Sequence, residues 1–495
     1  MSGITEPSPF AKKILFMAIG SMGDVLPFIN LGVGFSRRGH NVIIAANLRF
    51  KKLIEARGFE FREITWDMQD EWENTDAGKR MVKHSGSIIL GPPAMFSFLN
   101  QGIQKAYKDA ENVLVNVDFV ILGTGSTYMY PEVQKYGKLF IAVYCGSVGL
   151  LPIYNKRLKE LGLERANTFP SLPGGAFDID KVPVLHTLNK NLVQIPPNPN
   201  SVLKPTIFPY LFRNNPLEVQ IDYPYLNIKD ELENFKPPED LVKWLNEGNK
   251  PIYFGYGSMH SFSDVESRVR IWLDVMDKLS IKHRALFSGV GSVRIPELRK
   301  AVSSGRIFLV GHVPHSWLFP RVYCVVHHGG AGTTHNVARA GVPSVVVPHF
   351  ADQPWWASIL NYHGLAPNNG IPSQSVTSDK LYKALFKVLT DEKIHDNAQS
   401  LGKKIKSEHV KSAPISNIVL FIEQYWSRNK WDVISLDDNE SIASIESKDY
   451  IESEGSNDTD DTIDTEEFVR ANDDNIVKQK FIEPEFVKPD IIAVA

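Results

Sequence analysis

The feature that most constrains the fold is a repeated alternation of short apolar runs with longer segments of helical character. "KKILFMAIG" (12–20) and "GHNVIIAA" (39–46) are followed by similar runs at 118–125 and 139–146. Runs this apolar, without polar alternation, indicate strands buried on both faces of a parallel sheet. Because helical segments separate the runs, the first part of the chain is predicted to be a doubly wound α/β domain.

The same alternation restarts at "KPIYFGYGSM" (250–259), after a stretch at 150–240 that is rich in proline and asparagine. Further strands are predicted at "HRALFSG", "RIFLVG", "YCVVHHGG" and "VPSVVVP", and helices are predicted from about 353, 378, 392 and 413. We therefore predict two Rossmann-like doubly wound halves, with irregular structure and helices at 150–240. The predicted divisions are an N-terminal domain (1–235), a linker (236–250), a C-terminal domain (251–412), a final helix (413–430) and a tail (431–495).

The tail carries most of the negative charge. Residues 432–467 contain fourteen acidic residues and one basic residue, a net charge of −13, whereas the whole chain has −3, so the remainder carries +10 (−3 minus −13). An acidic segment with few aromatic residues is predicted to be disordered. A basic remainder suits an anionic ligand or an anionic membrane surface, whereas the lack of Lys/Arg runs with interleaved aromatics argues against nucleic acid.

Cysteine usage and the N-terminus predict the compartment. Cys145 and Cys324 are the only cysteines, which excludes a disulfide framework and favours the cytosol. The start "MSGITEPSPFAKK" has no apolar core of a secretory signal, and no stretch approaches 18 apolar residues. We expect a cytoplasmic protein whose contact with membranes is at most peripheral.

The segment "VVHHGGAGTTHNVARAGVP" (325–343) is typical of a strand, a glycine-rich turn and a helix. The turn can direct several backbone N–H groups at one point, and the helix adds the positive end of its dipole. This pattern predicts a diphosphate site, with a purely structural βα turn as the alternative. The hydroxyl of Thr334 can also donate there. The predicted ligands of the diphosphate are His327, His328, Gly330, Ala331, Gly332 and Thr333.

The two adjacent histidines do not predict a metal site. Neighbouring residues on a strand point to opposite faces, and no partner ligand lies at metal spacing. Ser258, in the glycine turn "FGYGSM", is predicted to reach the diphosphate from the other side.

Two more loops complete the predicted donor site. "PHFADQPWWA" (348–357) follows a buried strand, so Asp352 and Gln353 lie where α/β sheets bind ligands and are predicted to bind sugar hydroxyls. A helix N-cap is the alternative role for Asp352. In "VGHVPHSWLF" (310–319), His312 or Trp317 is predicted to stack on a planar base and the backbone of Val313 to pair with its edge, with a surface loop as the alternative.

The first strand ends at "AIGSMGDVLPFINLG" (18–32), which is predicted to carry a catalytic base. Gly20 and Gly23 allow a tight turn, and a helix is predicted to start at Pro27 and to run to Arg38. Asp24 then faces the cleft and can accept a proton from a substrate hydroxyl, with a helix N-cap as the alternative. The spacing is not G-x-G-x-x-G, so a dinucleotide site is not supported.

These segments resemble the GT-B glycosyltransferases of the sterol 3-beta-glucosyltransferase and UDP-glycosyltransferase type. "GSMGDVLP" is similar to the GSRGDVQP-type segment of that family. "VHHGGAGTT", "RAGVPSVVVP" and "FADQPWWA" are similar to its nucleotide-sugar segment in order and spacing. The resemblance runs from 12 to 430. Met22 and His335 depart from the family pattern, which has an arginine and a small residue at these positions.

The resemblance implies two Rossmann-like domains that face each other across a cleft, with the donor in the C-terminal lobe and the acceptor in the N-terminal lobe. It implies inverting transfer without a metal, a covalent intermediate or a cofactor, with a UDP-sugar as co-substrate. Asp24 is the implied base, the turn at His327 and His328 the implied diphosphate binder, and Asp352 with Gln353 the implied hexose reader. A helix at the C-terminal end is implied to cross back to the N-terminal lobe.

The acceptor is predicted to be apolar. "GPPAMFSFLNQGI" (91–103) can wall a hydrophobic pocket, although Met and Phe there also suit a plain core; the predicted acceptor residues are Ser21, Met22, Met95 and Phe96. We expect transfer of a hexose, glucose from UDP-glucose, to the hydroxyl of a lipophilic acceptor, with a sterol as the first candidate. The alternatives are a triterpenoid, polyketide or other lipid acceptor, a sugar-nucleotide epimerase of the same fold, and a non-catalytic binder.

Overall fold

The computed structural model describes 8, 11–84, 91–136, 138–144, 184–193, 218–221, 223–226, 232, 235–257, 264–290, 293, 295–349, 352–412 and 414–428. The predicted acidic tail and Ser258 lie outside these residues.

Two parallel sheets organise the described residues. The strands, in chain order, are β1 Lys13–Met17, β2 Asn41–Ala46, β3 Glu60–Glu63, β4 Phe119–Gly123, β5 Leu139–Tyr144, β6 Val184–Thr187, β7 Glu218–Ile221, β8 Ile252–Gly255, β9 Ala285–Ser288, β10 Ile307–Val310, β11 Cys324–His327 and β12 Ser344–Val346. The first sheet has the order β3-β2-β1-β4-β5-β6-β7, and the second has the order β10-β9-β8-β11-β12. Both are doubly wound, as predicted from the sequence.

Helices cover both sheets. In chain order they are α1 Met22–Arg37, α2 Lys51–Glu55, α3 Met68–Asn74, α4 Asp76–His84, α5 Gly91–Leu114, α6 Tyr130–Lys135, α7 Glu239–Asn246, α8 Val265–Lys278, α9 Pro296–Ser303, α10 His315–Leu318, α11 Ala331–Ala340, α12 Gln353–Tyr362, α13 Ser378–Thr390, α14 Glu392–Ser412 and α15 Pro414–Arg428. None of the helices in the described part of the chain combines the length and the apolar character of a membrane span.

The apolar strands are buried on both faces. On β1, Ile14 and Phe16 pack in one hydrophobic cluster with α1 and α15, whereas Leu15 and Met17 pack in another with α5. Each of these four side chains is fully buried. Burial on both sides is what makes the strand a continuous apolar run rather than an alternating one.

The last described helix, α15, packs against the first lobe, the α/β unit built on the sheet of β1–β7; the second lobe is built on the sheet of β8–β12. Ile415 lies against Gly34 of α1, where a Cβ would collide with it. Further along, Glu423 of α15 accepts hydrogen bonds from Arg38, at 2.6 and 3.1 Å, and from His40, at 2.7 Å. The chain therefore returns from the second lobe to the first, although the predicted domain boundaries stay predictions.

The structure corrects two expectations about local structure. The prediction of irregular structure and helices for 150–240 is wrong at β6 and β7, which extend the first sheet in parallel. The predicted helix start at Pro27 is also wrong, because α1 begins at Met22 and contains Pro27 in its interior. Ser21 caps this helix and fixes its start five residues before the proline.

Candidate active site

The strand order places a crevice at the carboxyl end of each sheet. In the first sheet the order reverses between β1 and β4, and in the second between β8 and β11. Doubly wound sheets bind ligands at such switch points, outside the carboxyl ends of the strands. The loops after β1 and β11 are the two that carry the predicted base and the predicted diphosphate ligands.

The loop after β1 holds Asp24 in a capping box. Gly20 adopts φ +142°, a conformation that side chains rarely allow, and the chain then enters α1 with Ser21 as its N-cap. The Ser21 hydroxyl accepts from the N–H of Gly23 at 3.2 Å, and Oδ2 of Asp24 accepts from the N–H of Ser21 at 2.7 Å. Asp24 therefore stabilises the start of the helix, but it does so with one carboxylate oxygen.

The second oxygen of Asp24 lies beside the loop after β4. A Cβ placed on Gly125 would lie 3.8 Å from Oδ1 of Asp24. The hydroxyl of Ser126 in this loop donates to Met17 of β1 and accepts from Gly123 at 2.8 Å, which ties the loops of the switch point together. Oδ1 is therefore the atom with which Asp24 can meet a substrate.

Burial raises the pKa of Asp24, and hydrogen bonds from Ser21 and the positive charge of Arg49 act in the opposite direction. Arg49 donates to the carbonyl of Gly20 at 2.9 Å and lies 3.5 Å from Asp67. No role for Arg49 was predicted from the sequence, although this residue follows β2 at the same edge of the sheet. Its signal would have been a charged side chain just beyond a buried strand.

The loop after β11 forms the predicted glycine turn. Gly329 adopts φ +87°, and Gly330 is the N-cap of α11 without a side chain to cap it. The N–H groups in the first turn of a helix have no intrahelical acceptor, so those of Ala331, Gly332 and Thr333 are available at the positive end of the dipole. The turn therefore presents an anion site.

The structure separates the roles of the two histidines. The ring of His327 is fully buried, with Nε2 at 3.1 Å from the hydroxyl of Ser344 and Nδ1 accepting from the N–H of Gly329 at 3.1 Å. Nδ1 of His328, in contrast, is buried without a hydrogen-bond partner among the described residues. Of the two rings, only that of His328 retains an unused nitrogen.

Two glycines make room for His328. A Cβ on Gly330 would collide with its Nε2, and a Cβ on Gly257 would lie 3.0 Å from its Cε1. Burial lowers the pKa of His328 well below 6.5, and the neighbouring His327 lowers it further. The imidazole is therefore neutral and can donate only from the nitrogen that holds its proton.

The threonines of the turn differ in burial. Thr333 is partly exposed, whereas Thr334 is fully buried. The Thr334 hydroxyl has no hydrogen-bond partner among the described residues. The hydroxyl of Thr334, in the first turn of α11, is thus a second polar group without a partner. It belongs to a residue only six positions after His328.

Asp352 stands at the N-cap position of α12, but its side chain does not cap the helix. Its Oδ2 instead accepts from the indole N–H of Trp356 at 2.8 Å. Burial raises the pKa of Asp352 to about 6, although the hydrogen bond from Trp356 acts in the opposite direction.

Gln353 is buried and engaged in the second lobe. Its Oε1 accepts from the N–H of His349 at 2.8 Å, and its backbone carbonyl would lie 2.9 Å from a Cβ on Gly329. Gln353 thus links the glycine turn to the loop after β12 that carries Asp352, which we call the sugar loop. Of the two adjacent tryptophans, Trp356 is fully buried and Trp355 is partly exposed.

The loop after β10 carries the residues that were predicted to bind the nucleobase of the donor. His312 is exposed and Val313 is buried. The ring of Trp317 already packs against Phe235, with ring centroids 5.7 Å apart, and against the guanidinium of Arg321, 4.4 Å from the ring centroid. His312 is therefore the more accessible of the two side chains that were predicted to stack on a base.

The predicted acceptor residues lie in two helices of the first lobe. Ser21 and Met22 are partly exposed at the start of α1, beside Asp24. Met95 and Phe96 lie on α5; Met95 is partly buried against the core, and Phe96 is 38% exposed. The structure therefore places Ser21 and Met22 next to Asp24, the predicted catalytic base.

Two family models match the chain, one in each half. Residues 14–124 match the glycosyltransferase family 28 N-terminal domain, and residues 294–418 match the C-terminal domain of erythromycin biosynthesis protein CIII-like proteins. Together they cover the loops that carry Asp24, the glycine turn and Asp352.

Curated relatives extend the resemblance. A sterol 3-beta-glucosyltransferase of Candida albicans is 28% identical over 86% of this chain and 29% of its own length. A sterol 3-beta-glucosyltransferase of Arabidopsis thaliana is 27% identical over 80% of this chain and 63% of its own length. The chain thus spans less than two thirds of either relative.

Solved structures share the fold. The glycotransferase of kitacinnamycin aligns over 84% of this chain and 99% of its own, with a TM-score of 0.58 and 16% identity. The spinosyn rhamnosyltransferase SpnG complexed with thymidine diphosphate aligns over 83% of this chain and 100% of its own, with a TM-score of 0.54 and 14% identity. The predicted GT-B fold and the predicted family resemblance are confirmed.

Proposed function

We propose that this chain, which belongs by its fold to the GT-B glycosyltransferases, transfers glucose from UDP-glucose to the hydroxyl of a sterol, with inversion and without a metal. The observation that carries the proposal is the pairing of the two switch points. The switch point of the first lobe carries Asp24, whose Oδ1 makes no capping bond, and the switch point of the second lobe carries a helix start whose N–H groups are uncapped.

The diphosphate of the donor is held at the start of α11. The N–H groups of Ala331, Gly332 and Thr333 donate to its oxygens, and the helix dipole adds a positive potential. Nδ1 of His328 and the hydroxyl of Thr334 are the buried groups that gain partners there. His327 holds the strand end by its bonds to Ser344 and Gly329.

Asp24 is the general base. Its Oδ1 takes the proton of the acceptor hydroxyl while that oxygen attacks the anomeric carbon, and the bond from this carbon to the β-phosphate oxygen breaks on the opposite side. The leaving diphosphate gains negative charge, which the groups at the start of α11 stabilise. The raised pKa of Asp24 makes its carboxylate a stronger base than an exposed aspartate.

Asp352 binds hydroxyls of the hexose. Because Oδ2 already accepts from Trp356, the other oxygen is the one that meets the sugar. Gln353 supports this loop through His349 and Gly329. Ser21, Met22, Met95 and Phe96 line the acceptor side. His312 and the backbone of Val313 meet the uracil.

A sterol is favoured over the other acceptors because the matching curated relatives carry that name. A triterpenoid or polyketide is the second candidate, since the structural neighbours include the spinosyn enzyme. A sugar-nucleotide epimerase would need additional acid and base groups around the sugar, and a non-catalytic binder would have no use for a carboxylate in the position of Asp24. The basic part of the chain suits peripheral contact with an anionic membrane from the cytoplasm.

The test is incubation of the purified chain with UDP-glucose or TDP-glucose and a panel of sterols, triterpenoids and polyketide aglycones. We expect a β-glucoside of the sterol with UDP-glucose, at a rate unchanged by EDTA. Products are identified by mass spectrometry, and the anomer by proton NMR. A converted sugar nucleotide without an acceptor would indicate an epimerase, and binding without turnover would indicate a binder; either result overturns the proposal.

A further inference from the structure

A short segment of the first lobe, Tyr223–Leu226, lies between the helix that carries Asp24 and the helix that carries the glycine turn. On one side, Asn30 of α1 donates to the carbonyl of Pro224 at 3.0 Å. On the other side, Arg339 of α11 lies 3.4 Å from the carbonyl of Leu226, with its guanidinium 4.6 Å from the centre of the Tyr225 ring. We call Tyr223–Leu226 the bridge segment. It couples α1 and α11 directly.

The first residue of the bridge segment reaches the start of α11. A Cβ placed on Gly332 would lie 3.1 Å from the hydroxyl of Tyr223. Gly332 is in the first turn, whose N–H groups are uncapped, and the missing side chain leaves room for this hydroxyl. The Tyr223 side chain is buried, so its position is set by packing rather than by solvent.

His335 fixes the ring of Tyr223. The two rings stack with centroids 4.2 Å apart and planes 20° apart. Nδ1 of His335 donates to the carbonyl of Ala331 at 2.8 Å, which leaves Nε2 to accept from the N–H of Asn189 at 3.3 Å. His335 is thus held by its own helix and by the first lobe together, and it lies one turn after the diphosphate site.

Burial lowers the pKa of His335 to about 4, so the ring stays neutral and keeps both bonds at neutral pH. The indole of Trp356, whose N–H binds Asp352, meets the same ring edge-on with centroids 4.9 Å apart. The large side chain at this position therefore links the bridge segment, the glycine turn and the sugar loop.

We propose that Tyr223 completes the diphosphate site from the first lobe, by donating a hydrogen bond from its hydroxyl to a diphosphate oxygen, and that His335 is the positioning residue that holds it there. The proposal rests on the proposed function, because it needs a nucleoside diphosphate at the start of α11. It makes donor binding depend on contact between the lobes, since Tyr223 and the glycine turn belong to different sheets.

The first test compares the affinities of wild type, Tyr223→Phe and Tyr225→Phe for UDP and for uridine, by calorimetry and by competition. A hydrogen bond to a charged group predicts a loss of roughly tenfold or more in UDP affinity for Tyr223→Phe, with uridine unaffected. Tyr225→Phe is the matched control, because Tyr225 lies against Arg339, about two helical turns from Gly332. Unchanged UDP affinity in Tyr223→Phe, or an equal loss for uridine, overturns the proposal.

The second test is a double-mutant cycle with His335→Ala. A positioning residue that acts through the Tyr223 hydroxyl predicts that the double variant binds UDP no more weakly than His335→Ala alone. If the variants remain folded by circular dichroism and the losses of UDP affinity from the two substitutions add, the proposed role of His335 is wrong. Wild type that fails to bind UDP would overturn the proposed function itself, which separates that failure from this one.

Discussion

At the scale of single residues, the site depends on which atoms of a side chain are already engaged. Asp24 uses Oδ2 to cap α1 and keeps Oδ1 for chemistry, and His328 keeps Nδ1 where His327 has neither nitrogen left. The sequence could place both histidines at the end of a strand but could not choose between them. That choice depends on Ser344 and Gly257, which are distant in sequence and become neighbours only in the folded sheet.

Asp24→Asn should separate catalysis from helix capping. The amide oxygen can still accept from the Ser21 N–H, so we expect α1 and UDP affinity to be retained. Loss of the general base should lower kcat roughly 10²–10⁴-fold. Initial rates with UDP-glucose, together with a calorimetric UDP titration, measure both properties; near-normal turnover would remove Asp24 from the mechanism.

The two histidines should respond differently to truncation. His328→Ala should weaken UDP binding roughly tenfold with little change in unfolding, because its Nδ1 has no partner to lose among the described residues. His327→Ala should cost about 1–3 kcal/mol of stability, because it leaves buried partners unsatisfied. Thermal unfolding and UDP titration of the two variants provide the comparison, and the reverse assignment of effects would contradict this division of roles.

Asp352→Asn should stabilise the fold while it weakens use of the hexose. The raised pKa of Asp352, about 6 against 3.8, means that its protonated form contributes stability that is complete below pH 3.8 and is lost as pH rises through about 6. The amide keeps an acceptor for Trp356 and carries no charge. We expect a gain of at most about 3 kcal/mol at pH 7, since one pKa unit corresponds to about 1.4 kcal/mol, and a smaller gain at pH 5.

Denaturant unfolding of wild type and Asp352→Asn at the two pH values tests this account. KM for UDP-glucose should rise in the variant while affinity for UDP stays unchanged. If Asp352→Asn were less stable than wild type at pH 7, the ionised carboxylate of Asp352 would not destabilise the fold as expected.

At the scale of elements, strands with long apolar runs were predictable and three short strands without such runs were not. All five strands of the second sheet, and helices that begin within one residue of the predicted 353, 378, 392 and 413, agree with the sequence prediction. The edge strand β3, with sequence "EFRE", and the strands β6 and β7 were missed, because pairing with an existing sheet rather than their own pattern makes them strands.

The attachment of α15 to the first lobe predicts a pH-dependent contribution to stability. Burial raises the pKa of Glu423, but hydrogen bonds from His40 and Arg38 outweigh it, so the pKa lies below 4.5. A lowered carboxyl pKa gives stability that is present above pH 4.5 and is lost as pH falls through the folded value. Glu423→Gln should therefore cost about 1.5–3 kcal/mol at pH 7, the usual contribution of hydrogen bonds to a charged group, and progressively less below pH 4.5.

Thermal unfolding of Glu423→Gln against pH measures this contribution. Glu239→Gln, at an exposed position in the first turn of α7, is the control and should lower the unfolding midpoint far less, because it loses only a helix-dipole interaction of about 0.3–1 kcal/mol. Equal midpoints for the two variants at pH 7 would show that the contacts of Glu423 do not hold α15 to the first lobe.

At the scale of the whole molecule, the proposed reaction requires two sheets whose switch points face one another. The first supplies a proton acceptor, the second an anion site, and the bridge segment contacts the helices that carry both. The sequence could predict two doubly wound halves because each strand run is local. It could not predict the bridge segment, whose role arises from contacts of Asn30, His335 and Arg339 with a stretch that has no local periodicity.

The most direct measurement is a crystal structure of the full chain with UDP bound. We expect the diphosphate at the start of α11, within hydrogen-bond distance of the N–H groups of Ala331 and Gly332 and of Nδ1 of His328, with Asp24 facing the β-phosphate across the cleft. A diphosphate bound elsewhere, or bound at α11 with Asp24 turned away from the cleft, would overturn the proposed function.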